Sequence, residues 1–273
     1  MGVVGNSSSR NENKESPEQS IDQLKTGTPS TKFVIVCPPR CGSTLLVRML
    51  RQHPKIECFG EDLVPGVIKN DQKAIERIEE IFSGNDIRIR GLKVKYEQML
   101  QFFPGAFQYL LERKDLLFLH LRRRNLLKRF VSQEFATRNQ GHFSQSVHNE
   151  KVPEKRKLNI KKCLSDMWIT EHRSTIIQQQ LLEKRHIDLY YERLARYPVG
   201  VLHSLTKSLD LEEHPYRVPT KKILSDDLQH VLANYEQVRW ALSFGPYRHH
   251  LDDPVDWPEK EPTKSPNLSE FCG

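Results

Sequence analysis

The chain has 273 residues, 37% hydrophobic and 28% charged, enough for one α/β domain with a sizeable core or two small ones. Its 42 Lys and Arg against 35 Asp and Glu leave a formal charge of +7, a balance suited to an anionic ligand. No apolar run nears the roughly 20 residues that span a bilayer, no basic-then-apolar leader opens the chain, and no aromatic-and-basic interleaving marks a nucleic-acid face. A cytoplasmic protein with no membrane span and no nucleic-acid partner is expected.

The five cysteines, Cys37, Cys41, Cys58, Cys163 and Cys272, form an odd and irregular set. That argues against a disulfide framework. Cys37 and Cys41 lack a second ligand pair, so no zinc or other metal site is expected. Met1-Gly2 opens like a myristoylation signal, but Asn6 stands where Ser or Thr is needed and Ser7 comes one place late.

In chain order, residues 1–31 are polar and almost free of large apolar groups, a composition that predicts disorder. Phe33-Val34-Ile35-Val36 predicts a buried strand. A helix over Thr44 to Gln52 follows, with Leu45, Leu46, Met49 and Leu50 on one face and Pro54 closing it. Asp71 to Phe82 predicts a second helix and Gly91-Leu92-Lys93-Val94 a short strand. Leu116 to Leu121 is a strand, Leu126 to Arg138 and Ile160 to Leu182 are long helices, and Ile187 to Tyr191 is another strand. Asp227 to Leu242 reads as one helix, and Pro254, Pro258, Pro262 and Pro266 mark an irregular tail. Strands alternating with helices imply an α/β fold of three layers, a parallel sheet with helices on both faces. The expected organisation is one domain over residues 32–251, a disordered 1–31 and an irregular 252–273.

Cys37-Pro38-Pro39-Arg40-Cys41-Gly42-Ser43-Thr44 lies between the first strand and the first helix. Open α/β sheets bind ligands there, outside the carboxyl ends of strands. A helix N-terminus offers unpaired N–H groups and partial positive charge to an anion. Gly42 permits close backbone approach, Ser43 and Thr44 add hydroxyl donors, and Arg40 adds a planar fork for phosphate or sulfate. The segment is not a Walker A loop, because no Lys follows Gly42 and the first Gly is missing. Phosphate and sulfate are not distinguished by it.

The strand ending at Leu121 runs into Arg122-Arg123-Arg124-Asn125, and Ser132 lies two turns into the next helix, with Asn125 placed to cap it. Arg124 and Ser132 suit a grip on a second anion. Arg122 to Arg124 with Lys128 and Arg129 fit a solvated basic face equally well.

Together the two segments resemble the 3′-phosphoadenosine 5′-phosphosulfate (PAPS)-dependent sulfotransferases. These carry a shortened phosphate loop of Pro-Arg-Ser-Gly-Thr-Thr type and an Arg followed eight residues later by a Ser. Pro39-Arg40-Cys41-Gly42-Ser43-Thr44 matches the first, and Arg124 with Ser132 the second. The nearest likeness is to the nodulation-factor sulfotransferases, which sulfate an oligosaccharide. It extends through Gly60-Glu61, Gly91 to Val94, Arg123-Arg124-Asn125, Tyr191-Glu192-Arg193-Leu194 and Gly245-Pro246-Tyr247, over about residues 32 to 251. Cys41 departs from the usual Ser or Thr, and residues 139 to 160 match nothing that would define the acceptor.

The resemblance implies a P-loop-like fold, with PAPS as co-substrate, 3′-phosphoadenosine 5′-phosphate (PAP) as product, no metal, and an acceptor hydroxyl on a small molecule or carbohydrate. Arg40, Cys41, Gly42, Ser43 and Thr44 would hold the 5′-phosphosulfate, Arg124 and Ser132 the 3′-phosphate, and Tyr191 would lie near the adenine. Arg40 would also stabilise charge on the leaving phosphate. Glu61 stands where tyrosylprotein and nodulation-type enzymes place the general base, with Asp62 beside it. His53, at a helix end, and His120, inside an apolar strand, read as structural. Lys221 and Lys222 resemble a segment that closes over the 3′-phosphate, or else form a solvated pair. Two rival readings remain: a fold that binds PAPS or PAP without catalysis, and a P-loop kinase, which would need the missing loop Lys and an Asp for Mg²⁺.

Overall fold

The computed structural model describes residues 32–84, 89–138, 154–219 and 227–252. The predicted disordered start, most of the expected acceptor stretch after residue 138, Lys221, Lys222 and all but the first residue of the tail lie outside them.

Five parallel strands make one sheet in the order β2-β3-β1-β4-β5. They are β1 (Lys32–Cys37), β2 (Ile56–Phe59), β3 (Ile89–Lys95), β4 (Leu116–Arg122) and β5 (His186–Tyr190). The central strand, β1, pairs with β3 on one side and β4 on the other, with Val36 opposite both Val94 and His120. From β1 the chain first goes to the edge at β2, fills in β3 between them, and then crosses to β4 and β5 on the other side, so the crevice at the carboxyl end of β1 is the switch point where such sheets take ligands.

Alternation along β1 divides the core. Phe33, Ile35 and Cys37 face a cluster with Leu46 and Leu50 of α1 (Ser43–Leu50) and with Val201, Leu202 and Leu205. Those last three belong to a helix, Pro198–Ser208, designated α7 below. Val34 and Val36 face the opposite cluster, with Ile78 and Ile81 of α2 (Asp71–Phe82) and Phe107 and Leu110 of α3 (Pro104–Glu112). Successive strand side chains point to opposite faces, and burial on both faces explains the near-continuous apolar runs of β1 and β4. Gly91 of β3 lies opposite Phe33, and a Cβ there would sit 2.0 Å from the Phe33 ring, so the sheet has room for no other residue.

A third cluster joins α4 (Leu126–Arg138) to the first half of α5 (Ile160–Leu181), through Phe130, Val131, Cys163 and Met167. After β5 come α6 (Tyr191–Arg196), α7, and α8 (Tyr235–Ser243), which closes this cluster with Val238 and Leu242. No helix among the described residues is long and apolar enough to cross a membrane.

The single helix expected over Asp227 to Leu242 is a correction. A short 3₁₀ turn, Leu228–His230, is separated from α8. Asp227 caps the turn by accepting from the Gln229 N–H at 2.8 Å. The intervening backbone then pairs elsewhere: Arg156 donates to the Val231 carbonyl, Ala233 donates to that of Arg156, and the Asn234 amide brackets Leu158. Tertiary pairing overrides a helical period there. Sequence reasoning also passed over β2, α3 and α7, although Pro104 and Pro198 each stand at a first helical turn.

Candidate functional site

The loop after β1 is shaped by two left-handed residues. Arg40 has φ 64° and Gly42 φ 84°, while Gly42 serves as the N-cap of α1 without a side chain to fill that role. Gly42 therefore puts no side chain over the first turn of α1, and the start of a helix so left open stabilises an anion. Gly42 is required twice over. Besides its φ, a Cβ would lie 2.6 Å from Cδ2 of Tyr191. Tyr191, expected at a strand end, is the first residue of α6 and lies half-buried against the loop.

The second motif meets the first. Arg40 Nε donates to Ser132 Oγ at 3.2 Å, across 92 residues of sequence. Arg123 donates to the Arg40 carbonyl at 3.3 Å and lies 4.3 Å from the centre of the Tyr191 ring. Burial, then the like charge of Arg123, pushes the Arg40 pKa below its ordinary value, although the outer face of Arg40 reaches solvent. Crowded cations of this kind are relieved by a bound anion.

The arm carrying Arg124 is fixed from below. Glu192 accepts from the backbone N–H groups of Arg124 and Asn125, each at 3.2 Å. Asn125 is the helix cap, accepting from the Lys128 N–H at 2.8 Å, and its amide donates to the His250 carbonyl. The Arg124 guanidinium lies 4.3 Å from the centre of the Tyr190 ring. The resting site thus seats both guanidiniums beside it, Arg123 and Arg124, on aromatic faces.

Glu61 follows β2 and reaches the same edge through β3. Its two oxygens accept from Lys93 Nζ at 2.9 Å and Lys95 Nζ at 2.6 Å. Burial pushes the carboxyl up, but the two lysine hydrogen bonds outweigh it and leave the pKa below the ordinary value. Glu61 also acts electrostatically on Arg40. Asp62 is engaged elsewhere, at 2.9 Å from Arg77 of α2.

The two histidines each have both ring nitrogens engaged within the protein. His53 accepts from the Lys55 N–H at Nδ1, so Nε2 carries the proton and donates to the Glu212 carbonyl. His120 is fully buried between Tyr96, 2.7 Å from Nε2, and Asp188, 3.0 Å from Nδ1.

Beside the loop lies a cavity of about 250 Å³ between Pro38 and Pro39, the end of β3, α4 and α5. Arg129 forms one wall. It is fully buried, ion-paired to Asp166 and donates to the Pro39 carbonyl at 3.4 Å. Burial holds its pKa down to about 10. Glu97, Thr170 and Arg173 add further polar lining. Sequence reasoning missed Arg129 as more than surface charge, and missed Lys93 and Lys95. The signal for the lysines was present: two cations two residues apart, on one face of a mostly buried strand.

These features define an α/β protein of three layers, a five-stranded parallel sheet between helices, with a candidate anion site at the switch point of the sheet. Residues 32–113 match the family model described as Sulfotransferase family. That span covers the loop, Glu61 and both lysines and ends before Arg124. No curated protein matches the chain. Among solved structures, it is similar to a sulfotransferase from Alicyclobacillus acidocaldarius, with TM-score 0.48 and 17% identity over 82% of this chain and 94% of that one. It is also similar to mouse sulfotransferase SULT7A1 complexed with PAP, with TM-score 0.46 and 15% identity over 86% of each chain. Sulfotransferase STF9 from Mycobacterium avium aligns with TM-score 0.41 and 11% identity, over 82% of this chain and 78% of its own.

Proposed function

We propose that this chain transfers a sulfuryl group from PAPS to an acceptor hydroxyl. The observation that carries the reading is the bond between Arg40 and Ser132, which brings two sequence-distant anion motifs to one sheet edge. In this reading the backbone of Cys41, Gly42, Ser43 and Thr44, with Arg40, holds the 5′-phosphosulfate. Arg124 and Ser132 hold the 3′-phosphate, and Tyr191 lies by the adenine. No covalent chemistry is asked of the protein: in-line transfer needs positioning and charge stabilisation on the leaving phosphate, which Arg40 and the α1 N-terminus supply.

Glu61 is the base in this reading. Its depressed pKa keeps it ionised near neutrality, ready to accept the acceptor's proton, and the lysines hold its orientation. The cavity beside the loop takes the acceptor. At about 250 Å³ it falls below the roughly 300–1,000 Å³ of pockets for drug-sized apolar ligands. Its walls carry two carboxylates, Glu97 and Asp166, and two guanidiniums, Arg129 and Arg173, beside one aromatic ring, Tyr96, which favours a hydroxyl-rich group such as one sugar ring. The acceptor we propose is therefore a carbohydrate.

The test is transfer of labelled sulfuryl from PAPS to a panel of free and oligomeric sugars, run for the parent and Glu61→Gln beside PAP affinity for both. Loss of a positioned base costs roughly 10²–10⁴-fold in rate, and PAP affinity stays at the parental level. In the parent, the rate holds as pH falls to the ordinary carboxylate range and drops only below it, because the folded pKa is depressed. PAP binding without transfer to any sugar would reduce the protein to a nucleotide-binding module. Near-parental turnover in Glu61→Gln would remove Glu61 from the mechanism.

A further inference from the structure

The cavity beside the loop holds its charges in two different states. Arg129 and Asp166 are paired with each other, and Arg129 also donates to the Pro39 carbonyl. Glu97 and Arg173 line the same cavity, both half-buried, and neither makes a hydrogen bond or an ion pair with any described residue, including the other. Glu97 acts electrostatically on Arg129, but that guanidinium is already committed to Asp166 and Pro39. One carboxylate and one guanidinium thus face a shared space of about 250 Å³ and stay beyond ion-pair reach of each other.

Their neighbours hold the chain there. The Tyr96 hydroxyl is 2.7 Å from His120 Nε2 and 3.3 Å from Ser174 Oγ. The Gln98 side chain accepts from the Lys95 N–H at 2.7 Å and donates to the Leu63 carbonyl. The residues on both sides of Glu97 are therefore pinned, and the bond from Tyr96 ties this stretch to α5 at Ser174, next to Arg173. Arg173 stands on a stripe with Asp166, Ile169 and Thr170, spaced i, i+3, i+4 and i+7 along one face of α5. The two charges are carried on a strand end and a helix whose separation is fixed.

We propose that Glu97 and Arg173 recognise the two charges of a zwitterionic acceptor, a sugar unit that carries both an ammonium and a carboxylate beside its hydroxyls. The inference rests on the carbohydrate reading above and narrows it. Filling the cavity takes water from both side chains, and a buried charge without a charged partner is costly. A neutral sugar offers hydroxyls alone. A uronic acid meets Arg173 and strands Glu97, and an amino sugar does the reverse. A ligand with both charges returns a charge-assisted hydrogen bond to each wall. The planar fork of Arg173 suits a carboxylate, and the acceptor-only oxygens of Glu97 suit an ammonium.

The test uses four sugars on one skeleton: glucose, glucosamine, glucuronic acid and 2-amino-2-deoxyglucuronic acid. Muramic acid serves as a second zwitterion with a longer reach between its charges. Calorimetry on the full chain is run slightly below neutral pH, where the amines are charged, with and without saturating PAP. At least one zwitterion should bind about 10-fold or more tighter than the neutral, cationic and anionic sugars, the scale of one further charged hydrogen bond. Glu97→Gln should erase the advantage over glucuronic acid, and Arg173→Gln the advantage over glucosamine, each keeping the other. A uniform loss for all sugars would mark a merely structural role and overturn the proposal. So would a parent that binds no zwitterion better than glucose, or a preference that survives both substitutions. If PAP does not bind, the donor reading fails, and the sugar affinities without PAP still decide the proposal. If no sugar binds, the carbohydrate reading falls together with it. If PAP binds and glucose is sulfated from PAPS as fast as either zwitterion, the carbohydrate reading stands and the zwitterion is overturned.

Discussion

The two arms of the proposed anion site are built from different materials. The β1–α1 loop offers main-chain N–H groups, held in place by two left-handed residues and by Tyr191 packed on Gly42. The β4–α4 arm offers side chains: guanidiniums seated on Tyr190 and Tyr191, over a backbone that Glu192 clamps. A backbone site tolerates most side-chain changes but depends on a few conformations. A side-chain site is conformationally ordinary but loses its function when one charge is removed. The two arms should therefore fail to different mutations and by different amounts.

The largest loss should come from the backbone arm at its one essential glycine. Gly42→Val puts a β-branched residue at φ 84° and drives its Cβ into Tyr191. Left-handed geometry alone costs about 1–2 kcal/mol for an ordinary residue, and displacing Tyr191 adds to it. PAP affinity should fall about 100-fold or more, where each 1.4 kcal/mol is tenfold. Circular dichroism on the same samples reports the folded fraction. A folded Gly42→Val protein that binds PAP like the parent would show that the loop does not bind through its backbone.

Next in size is the side-chain arm. Arg124→Ala removes a charged donor, and hydrogen bonds to charged groups contribute about 1.5–3 kcal/mol. PAP affinity should drop about 10- to 100-fold, with less loss for adenosine 5′-phosphosulfate, which has no 3′-phosphate. An equal loss for both nucleotides would move Arg124 away from the 3′-phosphate.

The same contrast explains what the sequence made legible. β1 and β4 are buried on both faces, so they stood out as apolar runs, and the guanidinium of Arg40 with Gly42 and the hydroxyls of Ser43 and Thr44 marked the loop between strand and helix. Edge strand β2 has four residues and two half-exposed positions, Glu57 and Phe59, which is too little signal. The split of the expected 227–242 helix depends on Arg156 and Leu158 arriving from 70 or more residues away, which no local pattern contains. The cavity wall was hidden for a related reason. Arg129 sits in a basic run, and only the fold shows that it alone of the run is fully buried and turned onto Pro39 and Asp166.

The smallest effect is expected where the arms touch. Ser132→Ala removes the hydroxyl that accepts from Arg40 Nε and leaves both guanidiniums in place. Arg40 is partly open to solvent, so water replaces the lost partner, and a single hydrogen bond of this kind contributes roughly 1 kcal/mol net. PAP affinity should fall about five-fold. The informative quantity is the coupling with Arg40→Ala. If Ser132 acts by holding Arg40, the double variant should bind no worse than Arg40→Ala alone, because the bond is already gone. If Ser132 instead touches the 3′-phosphate itself, the two losses should add. Calorimetry on the four proteins separates the cases. Full additivity would make Arg40 and Ser132 independent contacts on opposite ends of the nucleotide, and the bond between them a feature of the empty site alone.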